Sequence, residues 1–386
     1  MIGNGPLAGT RIVELAGIGA GPHAAMMLSD MGAEVVCVDR IVSSGLGIAV
    51  DPQYDLVRRG RRSIAVDLKK FEGRDTVLRL IESADALVES FRPGVMERLG
   101  LGPEPCLQRN PRLIYGRMTG WGQTGPYAER AGHDINYIAL AGVLHTIGAH
   151  GAQPLPPLNL IGDFGGAAYF AFGMVCALLS ASRTGQGQIV DGAMVDGAAA
   201  LLTMIVGFHR AGIWSDSRGE NLLDGGAPFY RTYRTSDDKY IAVGAVEQKF
   251  YYELLARIGL GDDPEMHSQS DRSLWPSQTN KIANAIAQRT RDEWCTLLEN
   301  EDVCVAPVLS LSEAAEHPHM KMRRVYAEFN GVMQPAPAPR FSGTVVSPPI
   351  EPCAAGRNSR AILADWQFSR DEIERLIQIG AVVQRD

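Results

Sequence analysis

The residues able to do chemistry gather in the first half of the chain. His133 stands in Ala131-Gly132-His133-Asp134-Ile135-Asn136-Tyr137, just after a glycine-rich stretch, Thr119 to Pro126. Asp163 stands in Asn159-Leu160-Ile161-Gly162-Asp163-Phe164-Gly165-Gly166, directly before a long apolar run. An imidazole changes charge near neutral pH. Aspartate favours a helix N-cap, where the dipole keeps it ionised. The backbone N–H groups of Phe164 to Gly166, at the start of such a helix, could receive a developing oxyanion. A histidine and a carboxylate facing each other across a substrate would form a two-base acid/base pair. On these residues alone, a structural histidine and a simple capping aspartate stay open as alternatives.

A second group is basic. Arg58-Arg59-Gly60-Arg61-Arg62 lies in a chain with 37 basic and 44 acidic residues and a net charge of −7. Arg40, Arg92 and Arg98 follow the ends of other early strands. In a parallel sheet, ligands bind outside the carboxyl ends of the strands. Guanidinium groups pair phosphates bidentately, so arginines gathered there would suit a polyphosphate; a solvated loop is the other reading. A third feature is Gly17-x-Gly19-x-Gly21 after the first strand, with Asp39 about 20 residues on, as in a dinucleotide fingerprint. Pro22 stands where the third glycine of that fingerprint belongs. A tight strand-to-helix turn and an NAD-dependent oxidoreductase are the two readings.

The elements that must position these residues alternate. Arg11 to Ala16, Ala33 to Asp39, Ser63 to Asp67, Ala86 to Glu89 and Leu113 to Met118 read as strands. Helices are expected at His23 to Met31, with Pro22 at the first helical position, and at Phe71 to Ser83. This rhythm predicts an α/β fold with a doubly wound parallel sheet. Phe164 to Ser182 and Ala193 to Arg210 read as apolar helices. Beyond them Tyr230 to Thr235 and Tyr240 to Ala245 flank Ser236-Asp237-Asp238-Lys239 as a hairpin. Gln248 to Ile258 and Arg291 to Glu299 read as helices, 333 to 353 as an extended proline-rich tail, and Asp365 to Ile379 as a closing helix.

Composition narrows the function classes. Hydrophobic residues make up 45% and charged residues 21% of 386, which excludes disorder or coiled coil for the bulk of the chain. The acidic balance argues against a nucleic-acid partner. Met1 to Pro6 lacks a basic leader, and the uncharged run Gly165 to Ser182 is short for a membrane span, so no membrane partner is expected. Six cysteines with no C-x-x-C spacing fit a reducing, cytoplasmic location. His317-Pro318-His319 reads as a solvated loop, and no metal is expected.

Several strings together carry a family resemblance: Pro6 to Leu15, Gly94 to Gly100 after Arg92-Pro93, Thr119 to Pro126, Gly132 to Tyr137 and Asn159 to Gly166. Along nearly its whole length the chain resembles the α-methylacyl-CoA racemases within the family III CoA-transferase group. The resemblance implies a large, discontinuous Rossmann-like domain and a smaller α+β domain. In boundaries this gives 1–190 for the first part of the large domain, 191–225 for a linker helix and loop, 226–320 for the small domain, and 321–386 for the return. It implies an interlocked homodimer whose site lies between the large domain of one copy and the small domain of the other. His133 and Asp163 correspond to the two bases, and Glu247 to a glutamate beside the histidine. Arg40, Val66, Asp67, Leu68, Lys69, Glu89, Ser90, Phe91, Arg92 and Arg98 correspond to positions that hold CoA, as do Gly132, Asp134, Ile135, Asn136 and Tyr137 beside His133.

The activity implied is inversion of the α-carbon of 2-methyl-branched acyl-CoA thioesters by 1,1-proton transfer through an enolate. CoA enters with the substrate, and no separate cofactor is needed. The alternative within the group is a CoA transferase in which Asp163 attacks the thioester as a nucleophile. Met194, Met204 and Phe208 could form an apolar surface for the acyl chain, or simply pack in a core. The loop from Ile41 to Tyr54 departs from the resemblance, being longer than the bacterial members of that family imply.

Overall fold

The computed structural model describes residues 4–42, 45 and 47–385. The first three residues of the expected leaderless start, residues 43, 44 and 46 of the long loop, and Asp386 lie outside that set. The chain divides into two units. Unit 1 comprises Met1–Ala141, Leu158–Leu201 and Arg324–Asp386; unit 2 comprises Gly142–Pro157 and Leu202–Arg323. Residues 142–157, expected inside the first stretch, thus belong to unit 2.

Unit 1 is built on a sheet of strands β1 (Arg11–Leu15), β2 (Glu34–Arg40), β3 (Arg61–Val66), β4 (Ala86–Glu89), β5 (Ile114–Thr119) and β6 (Gln188–Ala193). Their spatial order is β3-β2-β1-β4-β5-β6, all parallel. The strand Val382–Val383 pairs antiparallel on the free edge of β3. The order reverses between β1 and β4, so a crevice opens at their carboxyl ends. Successive side chains of one strand point to opposite faces. Val13 and Leu15 pack with Val36, Leu80, Leu87 and Trp366 on one face. Ile12 packs with Ala24, Leu28, Phe170 and Met174 on the other. With both faces covered, the strands read as continuous apolar runs.

The helices of this part of unit 1 are α1 (Ala20–Asp30), α2 (Phe71–Glu82), α3 (Val95–Arg98), α4 (Pro103–Arg109), α5 (Asp134–Leu140), α6 (Gly166–Thr184) and α7 (Met194–Leu201). The first begins at Ala20, not at His23 as expected. Pro22 is its third residue, tolerated because a first-turn N–H has no intrahelical partner. The helix expected over 193–210 is two helices. One is α7, and the second, α8 (Thr203–Arg210), belongs to unit 2. No proline or glycine marks the break at Leu202; the chain leaves unit 1 there.

Unit 2 holds an antiparallel sheet of β7 (Tyr230–Arg234), β8 (Tyr240–Gly244) and β9 (Val305–Pro307). Helices α9 (Gln248–Arg257), α10 (Trp275–Ile286) and α11 (Arg291–Leu298) accompany it. Its core joins Phe229, Tyr233, Tyr251, Trp275 and Trp294. The tail expected to be extended from residue 333 begins as the second strand of a hairpin, Tyr326–Phe329 with Val332–Pro335. The closing helix expected over Asp365 to Ile379 runs over Arg370–Gln378, capped by Ser369 and Glu372, and a separate helix, Ser359–Asp365, precedes it.

Candidate active site

The glycine turn after β1 forms one wall of the site. Gly19 has φ +71°, and a side chain there would point at the Asp163 carboxyl, 3.5 Å from Oδ2. At Gly21 a Cβ would run into Ser90 Oγ at 1.7 Å. The turn is glycine-rich because it packs against the end of β4 on one side and Asp163 on the other. Asp39, which a dinucleotide reading needs for a ribose, is spent elsewhere. It accepts Arg58 Nη1 at 3.0 Å and Ser63 Oγ at 2.6 Å, and is buried. This removes the main support for nicotinamide binding.

Asp163 was expected to cap the apolar helix. Instead the helical run begins earlier, at Leu160, with Asn159 at the cap position. Leu160–Gly165 form a π turn that leads directly into α6, so Asp163 lies inside the run. Single π turns inside α-helices recur at functional sites. The Phe164 N–H donates to the Asn159 carbonyl at 3.3 Å, so this expected oxyanion donor is already occupied. Asn159 Nδ2 donates to Asp163 Oδ2 at 3.2 Å, and the Asp163 N–H donates to Asp134 Oδ2 at 2.8 Å. Burial raises the Asp163 carboxyl above its ordinary value. The Asn159 bond opposes that rise, the Asp134 charge adds to it, and His133 opposes it. A carboxyl made easier to protonate suits a group that must both take and give a proton.

His133 caps α5 from an extended backbone, φ −132° and ψ 173°. Its N–H donates to Asn136 Oδ1 at 3.0 Å, and its carbonyl accepts the Asn136 N–H at 2.8 Å. The backbone is thereby fixed while the imidazole stays exposed. His133 and Asp163 both belong to unit 1 and interact electrostatically. Tyr137, one turn on, donates its hydroxyl to the Gly132 carbonyl at 2.5 Å, and its ring meets Trp121 edge-on. Burial raises the Tyr137 hydroxyl to about 12, keeping it protonated. Ile135 is exposed, whereas Asp134 is 5% exposed.

The residues expected to hold CoA lie at the carboxyl ends of β2, β3 and β4. Arg40 ends β2, and its guanidinium stands 5.8 Å from the centre of the Phe91 ring. After Val66 ends β3, the Lys69 N–H donates to Asp67 Oδ1 at 3.0 Å and the Leu68 carbonyl accepts Arg74. Lys69, Arg92 and Arg98 are exposed. Glu89 is different. It ends β4 at 0% exposure, accepts the Phe91 N–H at 2.7 Å and Arg117 Nε at 2.9 Å, and burial raises its carboxyl to about 7. It braces the turn through Ser90, Phe91 and Arg92 from below and has no surface to offer a ligand.

The basic run is likewise structural. Arg58 binds Asp39, Arg59 binds Asp30 at 2.6 Å, Arg61 lies 3.0 Å from Glu14, and Arg62 bridges Glu34 and Asp365. Arg59 and Arg61 are buried. These side chains are committed to carboxylates of unit 1, which corrects the expectation that the run gathers phosphates. Among the described residues no ion pair engages Arg40, Arg92 or Arg98, so the phosphate argument rests on those three.

Glu247 lies in unit 2. It is exposed at the start of α9, where its carbonyl accepts the Tyr251 N–H. Unit 2 also has an open cavity of about 1030 Å³, lined in part by His150, Asp224, Tyr230, Arg231 and Cys304. Met194 packs against the core of unit 1, while Met204 is exposed on α8 in unit 2. Sequence reasoning missed Asn159 as a partner of Asp163, although the two stand four residues apart beside a helical run.

The profile of CoA-transferase family III matches residues 7–354. The chain belongs to CoA-transferase family III. It is 44% identical over 373 residues to a mouse protein named alpha-methylacyl-CoA racemase, covering 96% of each chain. It is 44% identical over 376 residues to the human protein of that name, again covering 96% of each. Among solved structures, a CAIB/BAIF family protein from Brucella suis superposes with a TM-score of 0.82 at 28% identity, covering 94% of this chain and 100% of that one. Residues placed above by fold and bonding, from Arg40 to Asp163, all fall inside the matched span.

Proposed function

We propose that this family III chain is a racemase that inverts the α-carbon of 2-methyl-branched acyl-CoA thioesters. What supports the reading is that His133 and Asp163 interact electrostatically within unit 1, in a chain 44% identical over nearly its full length to proteins named for that activity. The thioester carbonyl makes the α-proton removable by delocalising the carbanion's charge onto oxygen. One base takes the α-proton from one face, leaving the planar enolate. The conjugate acid of the other base delivers a proton to the opposite face. The reverse substrate configuration exchanges the roles. Written this way the reaction balances without a metal or a redox group.

The carboxyl ends of β2 to β4 would seat the CoA portion, with Arg40, Arg92 and Arg98 facing its phosphates. Val66 to Lys69 and the Ser90 to Arg92 turn would line the same edge. Asp134 to Tyr137 supply the scaffold beneath His133.

The reading extends to a homodimer. Leu160–Thr184 is apolar enough and long enough to span a membrane by those criteria alone. Here it packs Ala167, Phe170, Met174 and Ala177 onto the sheet. Its other face leaves Tyr169, Phe172, Val175 and Leu179 exposed, next to the open edge strand β6 with Ile189. A second copy of the chain would cover that face and bring its Glu247 to His133. All six cysteines are free thiols, consistent with association without disulfides in a reducing, cytoplasmic setting. Sedimentation under reducing conditions should give twice the chain mass; a fully active monomer would contradict the dimer.

The test of the reaction is to incubate one enantiomer of a 2-methylacyl-CoA in deuterated water. Racemisation with deuterium at the α-carbon is the expected result. Ping-pong exchange of CoA between two acids, without α-exchange, would instead identify a transferase in which Asp163 carries the acyl group.

A further inference from the structure

Asp134 is the residue after His133, yet its carboxylate serves Asp163. It is 5% exposed, and Oδ2 accepts the Asp163 N–H at 2.8 Å. Its other oxygen, Oδ1, is buried with no hydrogen-bond partner. A buried carboxylate with one oxygen unsatisfied is costly, and cheaper residues could fill the space. The neighbouring chain is shaped to admit it. A Cβ on Gly162 would lie 2.6 Å from Asp134 Oδ2, so only glycine lets the carboxylate reach the π turn.

The π turn is what needs holding. A run that could relax to α-helical register would swing residue 163 around the helix axis and carry its carboxyl away from Gly19. Three bonds hold the register: Phe164 N–H to the Asn159 carbonyl, Asn159 Nδ2 to Asp163 Oδ2, and Asp163 N–H to Asp134. The third alone reaches another element, the helix capped by His133.

We propose that Asp134 is a positioning residue for the proton transfer: its buried carboxylate ties the helix that begins at His133 to the π turn that carries Asp163, and its charge acts on Asp163 across that tie. Both bases then move as one assembly. The inference rests on the reading of Asp163 as one of the two bases. It also replaces the expectation that Asp134 is a CoA contact, since its carboxylate is buried on the π turn.

The charge effect has a defined sign. The groups facing Asp163 are His133 and Asp134 at the start of α5, Tyr137 on the same helix, and Asn159 at the head of its own run. Asp134 raises the proton affinity of Asp163, while His133 and Asn159 lower it. Removing the Asp134 charge while keeping an acceptor oxygen should therefore move the acid limb of kcat to lower pH. Removing the acceptor as well should release the turn.

The experiment compares Asp134→Asn, Asp134→Ala and Gly162→Ala in the full-length protein, measuring kcat, KM and the pH profile with one 2-methylacyl-CoA. A misplacement of about 1 Å costs on the order of 10²-fold, so Asp134→Ala should lose about that much kcat with KM near the parent's. Asp134→Asn should recover part of that loss with its acid limb moved to lower pH. Gly162→Ala should behave like Asp134→Ala and still carries the test if the latter fails to fold. An Asp134→Ala enzyme with unchanged kcat and raised KM would overturn the proposal, as would an unmoved acid limb in Asp134→Asn. Asp163→Asn is run beside them. If it racemises like the parent, the two-base reading has failed; if it is inactive while the Asp134 and Gly162 variants match the parent, only this inference has failed.

Discussion

Two corners of the same sheet handle carboxylates in opposite ways. Around β1 to β3, Glu14, Asp30 and Asp39 each face a guanidinium, from Arg61, Arg59 and Arg58. At the carboxyl end of β1, Asp163 and Asp134 approach each other, and among the described residues no arginine or lysine pairs with either. Their partners are an amide, a backbone N–H and an imidazole. In the first corner each carboxylate faces a guanidinium, which opposes the rise that burial gives Glu14 and Asp30. In the second, burial raises the Asp163 carboxyl with no guanidinium opposing it, only the Asn159 amide and His133. Local charge in a sequence marks the first kind of region; chemistry belongs to the second.

The contrast can be broken from the paired side first. Arg61→Ala leaves Glu14 buried with its facing cation gone, which should cost about 3–5 kcal/mol of stability. Urea unfolding should show that loss. Folded Arg61→Ala enzyme that only binds acyl-CoA more weakly would return the run to the binding site.

Glu89 sharpens the contrast, because it is paired with Arg117 and still raised to about 7. A carboxyl whose folded pKa lies above its unfolded value contributes most below the unfolded pKa, and that contribution is lost as pH rises through the folded pKa. The parent should therefore lose up to about 3 kcal/mol from this group between about pH 4.5 and 7. Glu89→Gln should lack that decline when unfolding is compared at the two pH values. An identical slope in the variant would mean that Arg117 compensates the burial in full.

On the exposed rim, Arg40→Ala should raise KM for acyl-CoA by roughly 10- to 100-fold, the worth of about 1.5–3 kcal/mol for a charged hydrogen bond. Its melting temperature should hardly move. An unchanged KM, together with full activity on dephospho-CoA esters, would place the phosphates elsewhere. The smallest effect is expected at Asn159→Ala. It removes one bond to Asp163, worth about 0.5–1.5 kcal/mol. That bond lowers the Asp163 pKa, so its loss should move the acid limb of kcat upward, opposite to Asp134→Asn.

Much of the scaffold is legible in the sequence because its strands are apolar on both faces and their spacing follows the βαβ rhythm. Of the five early strands, Ala86 to Glu89 is matched to the residue and the other four shift by a residue or two, while β6 is missed because Gln188-Ile189-Val190-Asp191 mixes exposed and apolar residues at a sheet edge. The hairpin at 326–335 hides in a segment whose prolines suggest only extension. At the site, residue types and strings pointed to His133 and Asp163. What they could not show was the π turn. Its extra residue leaves no mark in the hydrophobic pattern, so Asp163 read as a cap and Asp134 as a ligand contact. The arginine run misled for a related reason: their carboxylate partners Glu14, Asp30 and Asp39 lie 19 to 47 positions earlier and meet them only in the folded sheet.

The central claim is that His133 and Asp163 each serve one face of the α-carbon. The most direct measurement is α-deuterium exchange of each enantiomer of a 2-methylacyl-CoA, separately, with His133→Ala and with Asp163→Ala. Each variant should lose racemisation by about 10²–10⁴-fold, the contribution of a positioned acid or base. Each should retain exchange with one enantiomer only, and the two variants should retain opposite ones, because the remaining base can remove and return a proton on its own face. Full racemisation by His133→Ala would contradict the account.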